Sequence, residues 1–220
     1  MIKALLCDLD GTLVQSNWLH AEAWQKALGA MGIPLELEDV RRQIGKGGDE
    51  LIPVFVPWWK HKHVEEPLKR LRKFLFHADY KERVQPLPGA REFLVKLQQS
   101  GIRVALASSA SKEDLLFYKH LIGIDDLVDA QTSADDADRS KPYPDIFEVA
   151  LKRLGLKPHQ VLALGDTPWD AEAAGKAEIW TIGVETGGWS RQELLAAGCV
   201  EVYASVADLL EHFDQSALMR

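Results

Sequence analysis

The feature that most constrains the fold is a short apolar run that ends in two carboxylates. Residues 2–7 are followed directly by Asp8, Asp10 and the turn Gly11-Thr12. A buried strand that delivers paired acids to its carboxyl end is unfavourable unless something there uses the charge. In open α/β sheets that edge binds ligands. Because alternate residues of an extended chain point the same way, both carboxylates can converge on one site, one as a nucleophile and one in proton transfer.

Composition limits the possible partners and compartments. The net charge of -7 over 220 residues argues against nucleic acid, whose phosphates attract basic surfaces. The amino terminus lacks a signal-peptide pattern, and the longest apolar stretch, residues 51–59, is too short for a bilayer. Cys7 and Cys199 lie in strand-like segments, which favours buried thiols in a reducing cytosol. We therefore expect a cytoplasmic protein without a membrane partner, either a monomer or a dimer.

The order of predicted elements indicates an α/β protein with a doubly wound parallel sheet. Residues 15–84 show helical spacing with Ser16 as a candidate N-cap, and no convincing strand, so they are predicted to be a helical insertion. Residues 1–14 and 85–220 form the predicted core. In that core we predict strands over 102–107, 127–130, 161–164, 179–184 and 200–203, and helices over 90–99, 143–154, 169–176, 191–197 and 206–213.

Three further loops match the first strand end. The strand over 102–107 ends in a serine-rich turn at Ser108, Lys141 precedes Pro142 in a later loop, and the strand over 161–164 ends in Gly165-Asp166. The carboxyl ends of parallel strands line one rim of a sheet, so these loops can meet the first.

The four loops together have the chemistry of phosphoryl transfer. Asp8 and Asp166 supply oxygen ligands for a hard cation such as Mg²⁺. Ser108 and Lys141 supply a donor and a positive charge for phosphoryl oxygens, and Asp10 is free for proton transfer. Phosphoryl transfer needs little more than positioning, charge neutralisation and an in-line nucleophile.

The motifs resemble those of the haloacid dehalogenase (HAD) superfamily, in the branch with phosphoglycolate phosphatases and β-phosphoglucomutase. The matching segments are Asp8-Leu-Asp10-Gly-Thr12, Ser108, Lys141-Pro142, and Gly165-Asp166 with Asp170. The resemblance covers essentially the whole chain. It implies a Rossmann-like catalytic core and identifies the helical insertion as a mobile cap domain.

The resemblance also implies the role of each motif residue. Asp8 attacks phosphorus to form an aspartyl-phosphate, and Asp10 protonates the leaving oxygen and then deprotonates the hydrolytic water. Asp8, the backbone carbonyl of Asp10, and Asp166 hold Mg²⁺, with Asp170 as a further ligand or an acid just behind the ligands. An acid at Asp10 favours phosphate esters over the carbon–halogen or carbon–phosphorus bonds that other family members cleave.

Five residues are candidates for substrate binding. Thr12 and Ser109 adjoin motif residues, and the backbone N–H of Ser109 can face an anion. His20 and Lys46 lie in the predicted cap, where a specificity role competes with that of an ordinary surface residue. Lys112 begins the helix after Ser111 and is equally consistent with a solvated lysine. Elsewhere in the cap, Trp58 and Trp59 with Phe55 are predicted to pack in the cap core or to shape the cleft.

The sequence thus predicts a Mg²⁺-dependent phosphatase for a small phosphorylated metabolite, such as a sugar phosphate or a phosphoglycolate-like acid. One alternative is a phosphomutase of the β-phosphoglucomutase type, which returns the phosphoryl group to a second hydroxyl. Another is a phospho-accepting regulatory module, which also gathers acids, a hydroxyl and a lysine at one sheet rim but needs neither an acid at Asp10 nor a cap.

Overall fold

The computed structural model describes residues 1–220 and has a six-stranded, fully parallel sheet at its centre. In chain order the strands are Ala4–Cys7 (β1), Val14–Gln15 (β2), Gln85–Pro86 (β3), Arg103–Ala107 (β4), Ala130–Thr132 (β5), Val161–Gly165 (β6), Trp180–Val184 (β7) and Cys199–Tyr203 (β8). The large sheet has the order β5-β4-β1-β6-β7-β8, and β2 pairs with β3 in a separate antiparallel ribbon. The first strand of the chain is therefore central.

The chain also forms ten α-helices. They are Asn17–Ala30 (α1), Leu37–Arg41 (α2), Gly48–Phe55 (α3), Trp58–Leu75 (α4), Ala90–Gln99 (α5), Lys112–Ile122 (α6), Asp145–Leu154 (α7), Pro168–Lys176 (α8), Arg191–Ala196 (α9) and Val206–Glu211 (α10). None of them is both long enough and apolar enough to cross a bilayer.

The alternation of side chains along β1 explains why both faces of the sheet are covered. Leu5 and Cys7 belong to a cluster of 29 buried residues that includes side chains of α5, α6 and α10. Ala4 and Leu6 point to the other face, into a cluster of 14 residues with α7 and α8. Strands that are apolar on both faces are typical of parallel sheets buried between helices. The predicted doubly wound α/β fold is confirmed.

The register of β1 sets the position of the motif loops. Cys7 pairs with Leu106 of β4 and with Leu164 of β6. Asp8 therefore lies level with the last residues of both neighbouring strands, and the loops that begin at Ser108 and Asp166 leave the same edge.

The helices of residues 17–75 pack around a separate hydrophobic cluster of ten buried residues. Trp24 and Leu28 of α1 belong to this cluster with Leu51 of α3 and Leu68 of α4. The ribbon of β2 and β3 connects the helical segment to the sheet at its two ends.

Two local predictions were wrong. The strand predicted over 127–130 begins only at Ala130; just before it, the Val104 N–H donates to the Asp129 carboxylate instead of to a backbone carbonyl. Of the residues predicted to pack in the cap core or to shape the cleft, Phe55 packs against the cluster of the helical segment. Trp58 and Trp59 instead are 79% and 63% exposed and do not line the cavity described below. They lie in the first turn of α4, a helix in which Leu68 is the only buried residue.

Candidate active site

Asp8 leaves the carboxyl end of β1 with its side chain almost completely buried, and it contacts Lys141. The fully buried ammonium of Lys141 donates hydrogen bonds of 2.7 Å to Asp8 Oδ1 and 2.9 Å to the carbonyl of Ala107. It also lies 2.7 Å from Asp170 Oδ1. Burial acts to lower the pKa of Lys141, but the carboxylates of Asp170 and Asp8 outweigh it and raise that pKa above its ordinary value. Lys141 is thus a fixed positive charge between two acids.

Asp166 begins the loop after β6 and accepts one hydrogen bond at each carboxylate oxygen. Thr12 Oγ1 donates to Oδ1 over 2.9 Å, and Asn17 Nδ2 donates to Oδ2 over 2.7 Å. A carboxylate offers about four lone-pair sites, so each oxygen retains capacity for another partner. Burial and then the nearby carboxylates of Asp170 and Asp8 raise the pKa of Asp166 well above its usual value.

Asp170 is held by the start of the following helix. Its Oδ2 accepts from the backbone N–H of Thr167 over 3.1 Å and from the Thr167 hydroxyl over 2.6 Å. The backbone N–H of Asp170 in turn donates to Thr167 Oγ1 over 3.3 Å, and the two backbone donors form a capping box at the start of α8. Pro168 occupies the first helical position, where its missing N–H costs nothing. Because Thr167 holds Oδ2, the other carboxylate oxygen, Oδ1, is the one that faces Lys141.

The three acids fit a divalent metal ion. One oxygen each from Asp8, Asp166 and Asp170 lie within 4.8 Å of one another, and all three side chains are buried. Burial also raises the pKa of Asp8, against the opposing effect of Lys141. Three ionised carboxylates beside one ammonium would leave two excess negative charges, which a dication neutralises. The donors are all oxygens, as hard cations prefer.

Asp10 lies on the other side of Asp8 and is paired with residues of α1 and the preceding turn. Its Oδ1 accepts from Ser16 Oγ at 2.5 Å and from His20 Nε2 at 2.9 Å. Burial acts to raise the pKa of Asp10, but His20 and Ser16 outweigh it and hold that pKa below its ordinary value. The Ser16 hydroxyl therefore serves Asp10 and makes no side-chain hydrogen bond that caps α1.

His20 connects Asp10 to a half-buried arginine of α4. The second ring nitrogen, Nδ1, lies 2.9 Å from Nη2 of Arg72. A guanidinium can only donate, so Nδ1 accepts and the Nε2–H of His20 donates to Asp10. The ring stacks on Phe76 with centroids 4.0 Å apart, which fixes its orientation.

A cavity of about 90 Å³ lies between the sheet edge and the helical segment. Judged by the volume that one buried water occupies, this cavity can hold a few water molecules. Both acids of the first motif open onto it, opposite cationic side chains of the helical segment. Its polar lining comprises Asp8, Asp10, His20, Lys46, Arg72, Lys73, Ser109, Ser111 and Asp114.

Six predicted residues do not line this cavity: Lys141, Asp166 and Asp170 are buried behind it, and Thr12, Ser108 and Lys112 are also outside its lining. Thr12 is fully buried, with its hydroxyl on Asp166. Ser108 is also buried, and its hydroxyl accepts from the backbone N–H of Ala110. Lys112 is exposed at the start of α6. A direct contact of Thr12 or Lys112 with substrate is therefore not supported by this arrangement.

The helical segment closes the cavity through contacts with the sheet loops. Ser109 Oγ donates to the carbonyl of Gly45 over 3.2 Å, and the backbone N–H of Ser140 donates to Asp49 Oδ2 over 3.0 Å. Lys46 lies over the ring of Trp169, 3.8 Å from its centroid. Sequence reasoning had given this tryptophan no role.

Sequence reasoning also missed Asn17 and Arg72. Asn17 follows a serine at the start of a helix, a pattern that predicts capping rather than contact with Asp166, 149 residues away. Arg72 is one of many basic residues on α4, and its contact with His20 spans 52 residues. The periodicity of α4 does not distinguish Arg72 from the other basic residues of this helix.

Comparison with known proteins places these features in a family. The family model described as "Hydrolase: haloacid dehalogenase-like hydrolase" matches residues 2–178. The chain is 28% identical to validoxylamine A 7'-phosphate phosphatase of Streptomyces hygroscopicus subsp. limoneus, over 84% of this chain and 87% of that protein. It is 31% identical to the phosphoglycolate phosphatase of Yersinia pestis, over 95% and 92%. A hydrolase structure from Pseudomonas syringae superposes with a TM-score of 0.91 at 29% identity, over 98% and 99%.

Proposed function

The chain belongs to the haloacid dehalogenase-like hydrolase family, and we propose that it is a Mg²⁺-dependent phosphatase for a small phosphorylated metabolite. The observation that carries the proposal is the buried pairing of Asp8 with Lys141 beside Asp166, at the floor of a cavity that Asp10 also lines. The relatives named for validoxylamine A 7'-phosphate and for phosphoglycolate support a sugar phosphate or a short acid phosphate as substrate.

We assign the metal to the acidic cluster. Asp8, Asp166, Asp170 and the backbone carbonyl of Asp10 would hold Mg²⁺. When bound, the ion would neutralise charge on the transferring phosphoryl group. Lys141 keeps the Asp8 carboxylate oriented and contributes a second positive charge beside it.

Asp8 and Asp10 divide the covalent chemistry. An Asp8 oxygen attacks phosphorus, the bond from phosphorus to the ester oxygen breaks, and Asp10 gives its proton to the departing alkoxide. Asp10, now anionic, takes a proton from water as that water attacks the aspartyl-phosphate and releases phosphate. The ligand-free pKa of Asp10 is low, and an incoming phosphate dianion raises it because like charges disfavour ionisation.

Residues 15–84 act as the cap in this proposal, over a catalytic core of residues 1–14 and 85–220. The cap supplies His20, Lys46 and Arg72 to the cavity, opposite the acids of the sheet edge. Excluding water strengthens each electrostatic contact with the phosphoryl group. A covered cleft admits a metabolite and excludes a phosphoprotein.

Phosphate release from a panel of phosphorylated metabolites tests the function. The panel contains phosphoglycolate and hexose phosphates, each assayed with and without Mg²⁺. We expect metal-dependent release that Asp8→Asn abolishes and that Asp138→Asn, a change at an exposed acid, leaves intact. Wild-type turnover in Asp8→Asn would refute the nucleophile assignment. A stable phosphorylated Asp8 without turnover would favour a regulatory module.

A phosphomutase is the second candidate, favoured by Lys46 and Arg72. These cations line the cavity on the side of the helical segment and can hold a second phosphoryl group. The same assay separates the two activities. A mutase would convert a sugar monophosphate into its isomer, require a sugar bisphosphate for activation, and release little inorganic phosphate.

A further inference from the structure

Asn17 is a buried amide directly behind the acidic cluster. It is the first residue of α1, only 5% exposed, and its Nδ2 donates to Asp166 Oδ2 over 2.7 Å. Thr12 occupies the other oxygen of the same carboxylate. The orientation of Asp166 therefore depends on one donor from the first motif and one from the helical segment.

Two glycines make room for this hydrogen bond. Gly11 has φ of +80°, and a Cβ there would lie 2.3 Å from both Asn17 Nδ2 and Asp166 Oδ2. A Cβ on Gly187 would lie 1.9 Å from Asp166 Oδ2. A side chain at either position would displace the Asp166 carboxylate. The absence of a Cβ at both glycines therefore makes room for the hydrogen bond between Asn17 and Asp166.

The other end of the amide has no protein partner. Asn17 Oδ1 is buried and accepts no hydrogen bond. A buried acceptor without a donor is unfavourable, and native proteins satisfy nearly all such atoms with protein groups or water. When the three acids of the cluster are ionised, as they are when they hold a dication, their oxygens only accept hydrogen bonds and cannot serve. A hydrated cation brings donors, because Mg²⁺ usually retains several waters when it binds carboxylates.

We propose that Asn17 belongs to the metal centre as a positioning residue. Its Nδ2 fixes Asp166 Oδ2, and its Oδ1 accepts a hydrogen bond from the hydration shell of the ion. The inference rests on the metal-dependent function proposed above and adds a residue outside its motifs. Groups that orient metal ligands typically contribute 10- to 100-fold to metal affinity.

Calorimetric titration with Mg²⁺ tests the effect on affinity. Asn17→Leu keeps the volume and removes both polar atoms, and we expect its Kd to rise about 10- to 100-fold over wild type. Glu22→Ala, on the same helix and facing Arg83, is the control and should keep the wild-type Kd. An unchanged Kd in Asn17→Leu would overturn the inference while leaving the phosphatase proposal intact. Failure of the wild type itself to bind Mg²⁺ would overturn both.

A second measurement needs no variant. Asn17 is the only asparagine in the sequence, so protein labelled with ¹⁵N in asparagine side chains gives a single amide NH₂ signal. We expect Mg²⁺ to shift this signal with the same Kd as in calorimetry, and NaCl at equal ionic strength to leave it in place. If Mg²⁺ binds in calorimetry but leaves the signal unmoved, Asn17 is not part of the metal centre. This test holds even if Asn17→Leu fails to fold.

Discussion

Lys141 shows how one residue balances the site. Its ammonium is fully buried within 2.7 Å of Asp8 and of Asp170. Removing one partner of a buried ion pair leaves an uncompensated charge, and the resulting loss of stability usually exceeds the worth of the pair itself. The same lysine thus supports the fold and sets the charge of the cluster.

Lys141→Met should therefore destabilise the metal-free protein. Methionine nearly keeps the volume but leaves the buried acids without a cation, and we expect a loss of about 3–5 kcal/mol in the free energy of unfolding. Burial raises the pKa of Asp8 to about 7, so protonation at pH 5 should reduce this loss relative to pH 8. Urea unfolding at both pH values measures the change.

The matched control is Lys112→Met, which removes an exposed lysine. Exposed substitutions usually change stability by about 0.5 kcal/mol or less. Equal unfolding free energies for the two variants would mean that Lys141 does not neutralise the acids.

Residues were predictable where their signal was local. Asp8 and Asp166 each lie in a loop that the apolar strand pattern locates, and Lys141 is marked by the proline that follows it. The register of β1 then brings the loops of Asp8 and Asp166 to one edge. Asn17 and Arg72 were not predictable, because each acts through a partner far away in the chain and carries a local pattern with an ordinary structural meaning. Thr12 was singled out, yet its hydroxyl faces Asp166 rather than the cavity.

At the scale of elements, strands and helices of the sheet were predicted to within a few residues, since parallel strands buried on both faces give continuous apolar runs. The short edge strand β5 begins later than predicted, after Asp129, whose side chain takes the place of a backbone acceptor for the Val104 N–H. Helix α4 exposes Trp58 and Trp59, which apolar composition alone assigns to a core. Whether such an apolar residue is buried depends on which elements pack against it, and not on its hydrophobicity.

An ion pair joins α7 to the turn before it and gives a pH-dependent prediction. The Arg153 side chain, together with the backbone N–H and the hydroxyl of Ser133, lowers the pKa of Asp136 to about 2. The folded pKa is below the unfolded one, so the stabilisation is complete above about pH 4 and is lost as the pH falls toward 2.

Arg153→Gln should accordingly destabilise the protein by up to about 1 kcal/mol at neutral pH, since the pair is partly exposed and screened. We expect the difference from wild type to stay constant between pH 7 and pH 5 and to shrink below pH 4. Urea unfolding at pH 7, 5 and 3 measures it. A difference that grows on acidification would contradict the assignment of the low pKa to this pair.

At the scale of the whole molecule, the helical segment is docked against the sheet edge over a cavity of about 90 Å³, below the roughly 300 Å³ or more that is typical of ligand pockets. As the cap of the proposed function, this segment is expected to move aside when substrate enters. Arg41, at the end of α2, anchors the docked arrangement. Its Nη1 donates a hydrogen bond of 2.8 Å to the carbonyl of Gly187, and its side chain is only 4% exposed. Gly187 itself lies directly against Asp166, since a Cβ on this glycine would be 1.9 Å from Asp166 Oδ2.

Arg41→Leu should shift the molecule toward the open arrangement. A hydrogen bond from a charged donor contributes about 1.5–3 kcal/mol, so the ratio of closed to open molecules should fall about 10- to 100-fold. Faster amide exchange in residues 166–170 and 185–188, with unchanged exchange in β1 and β4, would report the opening, and KM should rise as closure over substrate weakens. Arg70→Leu removes an exposed arginine of the same segment and should alter neither quantity. If Arg41→Leu exchanges like wild type, the segment is held by its other contacts and Arg41 does not control access to the site.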